Sequence, residues 1–133
     1  MDELTVDART ENLHKVLAFL TERLEEYGCS PRAQRQIEVA AEEIFVNIAN
    51  YAYAPDSGSA TVRFSREGRM AVVSFLDSGI PYDPLAKPDP DLTLSAKERP
   101  IGGLGIYMVK KSMDSVAYER RDGKNIFTMR KAI

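Results

Sequence analysis

The sequence predicts an α+β fold, a two-layer sandwich with about three helices on one face of a mixed, largely antiparallel sheet. Three observations lead there. Two segments of the first half carry apolar residues at helical spacing, and a third candidate helix follows a glycine cluster. Between and after them lie short segments that alternate in polarity or run apolar throughout, as strands do. Turn-forming residues sit at the junctions. At 133 residues the chain suits one domain, 1–133, long enough to bury a sizeable core.

Taken in order, residues 3–7 (ELTVD) alternate weakly and predict a short edge strand. Thr10 is the expected N-cap of a helix carrying Leu13, Val16, Leu17, Leu20 and Leu24, which Gly28 should stop. Ser30 and Pro31 supply the N-cap and first position of a second helix, expected to run to about Tyr53. Ala54 to Ser59 (APDSGS) is a loop. ATVRFSR then alternates, with Val62 and Phe64 on one face, and Arg66 to Arg69 makes a turn. MAVVSFL is nearly continuous apolar, as for a central strand buried on both faces, and it breaks off at Asp77-Ser78-Gly79. The stretch from Pro81 to Pro100 holds five of the seven prolines and little periodicity; a loop of that length in a compact domain is a functional lid, at about 81–101, or a disordered piece. GGLGIYMVKKSMD opens a third helix with Ile106, Met108 and Val109 as core candidates. Ser115 to Arg121 and Asn125 to Arg130 read as a strand pair joined by a turn at Asp122-Gly123.

Bulk properties narrow the function classes. The apolar and charged fractions, 44% and 29%, are those of an ordinary globule. A formal net charge of −2 argues against nucleic acid as the main partner. Cys29 is the single cysteine, so no internal disulfide can form. The acidic start MDELTVDART lacks the apolar stretch of a signal peptide, and no run approaches the roughly 20 apolar residues of a membrane span. The expectation is a cytoplasmic protein with no membrane partner.

Three clusters could carry chemistry. Glu43, Asn47 and Asn50 share one face of the second helix, with Tyr51 beside them, among Ile44, Phe45, Val46 and Ile48. That stripe is either a solvated helix edge or a site in which an amide oxygen serves Mg²⁺ and a carboxylate serves as general base. Asp77-Ser78-Gly79 is either the turn that ends a central strand or a place where Asp77 accepts a hydrogen bond from a ligand amine. A carboxylate there favours adenine, whose exocyclic amine donates, over guanine. Gly102-Gly103-Leu104-Gly105 is either a hinge before a helix or a phosphate cradle at a helix start. It is neither a P-loop nor a dinucleotide GxGxxG, and Lys110 lies too far along for the former.

In this order, EIFVN, then DSGIPYDP, then a proline-rich stretch, then ERPIGGLGIYMVKKSMD, the chain resembles the GHKL ATP-binding superfamily from about Glu38 to Lys131. Within it the likeness is greatest to the bacterial anti-sigma factor serine/threonine kinases. The resemblance implies a Bergerat-type ATP-binding fold that uses ATP and Mg²⁺. Asn47 would be the metal ligand and Glu43 the base that deprotonates a serine on the substrate protein. Asp77 would read the adenine amine while Gly79 gives the base room. Gly103, Leu104 and Gly105 would cradle the phosphates, with Asn50 as a further contact and Arg99 approaching the γ-phosphate when the lid closes. Many relatives place a threonine near the adenine-binding aspartate. Here Asn125 takes that position, where its amide could hold a bridging water. Dimerisation helices of histidine kinases are absent, and His14 reads as a solvated helix residue.

The expected function is therefore an ATP-dependent protein serine/threonine kinase that acts as an anti-sigma factor. Its partners would be an anti-sigma factor antagonist as phosphoacceptor, a sigma factor or similar regulator, and a second copy in a homodimer through a sheet edge or the first helix. Other readings are a nucleotide-gated binding module without phosphotransfer, a histidine-kinase-type catalytic domain, and a plain scaffold.

Overall fold

A computed structural model describes residues 1–86 and 104–133. Strand β1 (Asp2–Asp7) leads through a 3-10 turn (Thr10–Asn12) into α1 (Leu13–Glu26) and α2 (Pro31–Asn47). A π-wound turn (Ile48–Ala52) extends α2. Strands β2 (Ser59–Glu67) and β3 (Met70–Asp77) follow, then α3 (Leu104–Ser112), β4 (Ser115–Arg121) and β5 (Lys124–Ala132). The strands form one sheet in the order β1-β2-β3-β5-β4. Every neighbouring pair is antiparallel, so the sheet is not mixed; β2–β3 and β4–β5 are hairpins, and α1 and α2 lie between β1 and β2 in the chain.

Local chemistry explains the boundaries. Ser30 accepts a hydrogen bond from the Ala33 amide at 3.2 Å, and Pro31 fills the first helical position. Gly28, at φ 69°, ends α1 in a Schellman arrangement, with Gly28 N–H on the Glu25 carbonyl and Cys29 N–H on the Leu24 carbonyl, both at 3.0 Å. The N-cap expected at Thr10 does not form. The chain enters α1 through the 3-10 turn instead, where Asn12 donates to the Asp7 carbonyl at 2.9 Å and ties the helix start to the end of β1. Gly68 (φ 62°) begins the β2–β3 turn, and Asp122 (φ 52°) with Gly123 (φ 76°) makes the two-residue β4–β5 turn.

All three helices lie over one sheet face. From α1 and α2, Val16, Phe19, Leu20, Leu24, Ile37, Ala40, Ala41, Ile44 and Phe45 meet Val62, Phe64, Val73, Phe75, Phe127 and Met129 of the sheet. Register makes this one surface: Phe75 lies opposite both Val62 and Phe127, and Val73 opposite Phe64 and Met129. The other sheet face carries hydroxyl pairs, Thr5 with Thr61 at 2.8 Å and Ser74 with Thr128 at 3.0 Å. Val72 and Leu76 are nevertheless 6% exposed there. Cross-strand neighbours such as Arg130 and Ile126 flank them, so β3 is buried on both faces without a second helical layer. Ile106 and Val109 of α3 enter the core, but Met108 is 54% exposed. The adjacent core positions Val109 and Ile106 leave Met108 on the outer side of a helix of this length.

Leu24 is fully buried under α2 and the sheet. Leu24→Ala is expected to lower the unfolding free energy by about 2–5 kcal/mol, seen as an earlier denaturant midpoint at unchanged slope.

Candidate functional site

Glu43 and Asn47 stand one turn apart on the edge of α2 that does not enter the core. Both are half-buried, and neither has a hydrogen bond or ion pair among the described residues. Asn50 does not continue their line. It lies in the π-wound turn, where each residue turns the chain less than in an α-helix, and it is exposed. Tyr51 beside it is exposed as well.

The start of α3 meets this edge at Glu43. A methyl group built on Gly105 would sit 2.0 Å from Glu43 Oε2 and 2.6 Å from its carboxyl carbon. Glycine at 105 thus lets the backbone of a helix start lie directly against the carboxylate. Arg99 and Gly103, expected at the phosphates, fall outside the described residues; Leu104 is the first residue of α3.

Asp77 closes β3 beside Asn125 at the start of β5, as register partners, and each is 7% exposed. Burying a carboxylate is costly unless donors meet it. Asp77 Oδ1 accepts from the Gly79 amide at 2.9 Å and from Asn125 Nδ2 at 3.0 Å. Asn125 Nδ2 also donates to the Ile80 carbonyl at 2.8 Å. The Asn125 oxygen accepts from the Tyr82 amide at 3.2 Å and from the Tyr118 hydroxyl. Both bonds to Asp77 fall on Oδ1, so Oδ2 has no partner among the described residues and is the oxygen a ligand amine would meet.

The loop after Asp77 is clamped from two sides. The Ile80 amide donates to the Ala52 carbonyl at 3.0 Å, and a methyl on Gly79 would sit 2.2 Å from that same oxygen. The Tyr53 hydroxyl donates to the Ser59 carbonyl at 2.6 Å and accepts from the Ser78 amide at 2.7 Å. Its ring covers Gly58, where a Cβ would lie 2.3 Å from the ring. From the opposite edge Arg120 Nη1 donates to the Gly79 carbonyl at 2.9 Å. The end of α2 and the Asp77 loop are therefore one hydrogen-bonded unit.

Of the residues picked from sequence, the structure gathers Glu43, Asn47 and Gly105 at one end and Asp77, Gly79 and Asn125 at the other. Tyr53, Tyr118 and Arg120 belong to the same constellation and were not singled out. The available signal was positional: Tyr118 and Arg120 alternate on a strand facing Asn125. His14 is exposed on α1, with Nδ1 2.8 Å from the Glu11 carbonyl. Cys29 lies away from the site, and burial, then the nearby Glu38 charge, push its thiol pKa up, which makes it a poor nucleophile. No helix among the described residues is long and apolar enough to cross a membrane.

The chain matches the family model described as a histidine kinase-like ATPase domain over residues 6–131. It is 31% identical, over 101 residues, to the serine/threonine-protein kinase BtrW of Bordetella bronchiseptica, covering 75% of this chain and 71% of that one. Its fold superposes on the Acinetobacter baumannii histidine kinase AdeS with a TM-score of 0.52 at 17% identity, covering 99% of this chain and 68% of that chain.

The two close glycines should respond differently to a methyl group. Gly79→Ala drives Cβ into a backbone carbonyl and is expected to cost about 1–3 kcal/mol of stability. Gly105→Ala meets only the tip of a side chain that can swing away, so its denaturation midpoint should stay close to the parent's. Chemical denaturation of the two variants measures both.

Proposed function

We propose, on the footing that this chain belongs to the histidine kinase-like ATPase domain family, that it is an ATP-dependent protein serine/threonine kinase acting as an anti-sigma factor. It would phosphorylate a serine on an anti-sigma factor antagonist, bind a sigma factor or similar regulator, and work as a cytoplasmic homodimer. The observation that carries the reading is the meeting of Glu43 with the glycine at the start of α3. A base candidate and a phosphate-cradle candidate from distant parts of the sequence share one place. The likeness to a protein named a serine/threonine kinase supports the choice of acceptor.

The groups fit the nucleotide. Asp77 Oδ2 has no partner among the described residues and is available to the adenine amine, while Gly79 lets the loop after β3 lie against the Ala52 carbonyl. Amide groups at the first turn of α3, from Leu104 and Gly105, have no intrahelical acceptors and suit phosphate oxygens, with Gly103, Asn50 and Arg99 as further contacts. Asn47, whose side-chain amide has no partner among the described residues, would hold Mg²⁺. Bound there, Mg²⁺ supplies neutralisation of phosphate charge. Glu43 would take the proton of the acceptor serine as its oxygen attacks the γ-phosphorus and the bond to the β-phosphate oxygen breaks, releasing ADP. The lid expected at about 81–101 lies mostly outside the described residues. Catalysis is then mainly positioning and electrostatics.

The test is phosphate transfer from γ-labelled ATP to a purified antagonist protein. Glu43→Gln is expected to keep ATP binding and lose about 10²–10⁴-fold in transfer rate; parental transfer by that variant removes Glu43 from the mechanism. The label on the acceptor should be acid-stable. An acid-labile label would assign a histidine acceptor instead, and nucleotide-dependent partner binding without label would leave a gated binding module. Asn47→Ala should weaken ATP binding in Mg²⁺ and leave Mg²⁺-free binding nearly unchanged, as isothermal calorimetry can show.

A further inference from the structure

Asn125 has no hydrogen-bonding capacity left for a ligand or a water. A primary amide offers two N–H donors and two oxygen lone pairs. Here the donors go to Asp77 Oδ1 and the Ile80 carbonyl, and the lone pairs receive the Tyr82 amide and the Tyr118 hydroxyl. The orientation has no equivalent alternative. Turned over, the amide would set its oxygen against a carboxylate and a carbonyl, and its NH₂ against a backbone N–H. Tyr118 can donate or accept, but an amide oxygen can only accept, so Tyr118 donates.

This arrangement decides what Asp77 shows to a ligand. With Gly79 N–H and Asn125 Nδ2 both on Oδ1, the carboxylate cannot rotate without losing two bonds. Oδ2 stays as an acceptor that meets no donor among the described residues. Tyr118 meets Asn125 of β5 from the neighbouring strand β4 and keeps it in the orientation that feeds Asp77.

We propose that Asn125 and Tyr118 are positioning residues for base selection: by fixing the orientation in which the Asp77 carboxylate presents Oδ2, they make the site take a purine with an exocyclic amine and reject one with a carbonyl in its place. The inference rests on the nucleotide reading of the site given above. Neither residue touches the base. A 6-oxopurine would bring an oxygen against Oδ2, leaving two acceptors facing each other without a proton between them. Sites built on such a polar contact reject the wrong partner far more strongly than apolar ones do.

Dissociation constants for ATP and inosine triphosphate, with Mg²⁺, test it on three proteins: the parent, Tyr118→Phe and Tyr53→Phe. The parent should prefer ATP by roughly a hundredfold or more. Tyr118→Phe removes one hydroxyl and should narrow that preference by about fivefold to tenfold, the scale of one buried hydrogen bond. Tyr53→Phe loosens the same loop without touching Asn125 or Asp77, so it should weaken both nucleotides together and leave their ratio alone. Asn125→Leu, close in shape, should narrow the ratio further. A parent that discriminates, with Tyr118→Phe keeping the parental ratio, would overturn the inference and leave the nucleotide reading standing. A ratio that falls equally in Tyr53→Phe would reduce Tyr118 to general support of the loop, which also overturns it. A parent that binds both nucleotides alike would remove Asp77 as the selector, and a parent that binds neither would overturn the proposed function as well.

Discussion

Helix α2 must bury one side while keeping a carboxylate and an amide out of the core, and the site is organised around that requirement. Ile37, Ala40, Ala41, Ile44 and Phe45 fix its rotation against the sheet. With the rotation fixed, Glu43 and Asn47 stay on the edge outside the core, and Glu43 meets the start of α3. The π-wound turn then lets the helix end deliver the Ala52 carbonyl and the Tyr53 hydroxyl to the loop after β3. Core packing and site geometry are thus the same constraint seen from two sides of one helix.

The sheet contributes a second fixed point. Asp77 and Asn125 face each other because β3 and β5 pair in a register that also aligns Phe75 with Phe127 and Val73 with Met129. Slipping β5 by one residue would send Asn125 to the hydroxyl-lined face and bring Lys124 or Ile126 beside a buried carboxylate. The aromatic and methionine contacts therefore hold the polar pair in place. The turn at Asp122-Gly123, whose positive φ values suit aspartate and glycine, sets the β4–β5 register that brings Tyr118 into reach.

Much of this was legible in the residues. Ser30-Pro31 and Gly28 have conformational preferences strong enough to mark helix ends, and MAVVSFL could hardly be anything but a central strand. Other features depended on contacts that a linear reading does not contain. Thr10 has the chemistry of a cap, yet the Asn12 bond to Asp7 moved the helix start past it. Met108 looked like a core residue because its neighbours are, but two core positions on a short helix leave the third outside. Asn50 was aligned with Asn47 on α-helical geometry, which ends at Asn47. Asp77 and Glu43 could be picked out as carboxylates in unusual company. Tyr118 offered only its position on the strand next to Asn125, because its importance comes from a hydrogen bond between neighbouring strands to a residue seven positions away.

The proposed adenine site lies between the end of α2 and the end of β3. The most direct measurement is thermal unfolding of the purified protein with Mg²⁺ and ATP, GTP or no nucleotide. A ligand held only by the folded state adds about 2.7 kcal/mol at a hundredfold excess over its dissociation constant, several degrees for a domain of this size. A rise with ATP and none with GTP is the predicted result. Equal rises with both nucleotides, or no rise with either, would contradict it.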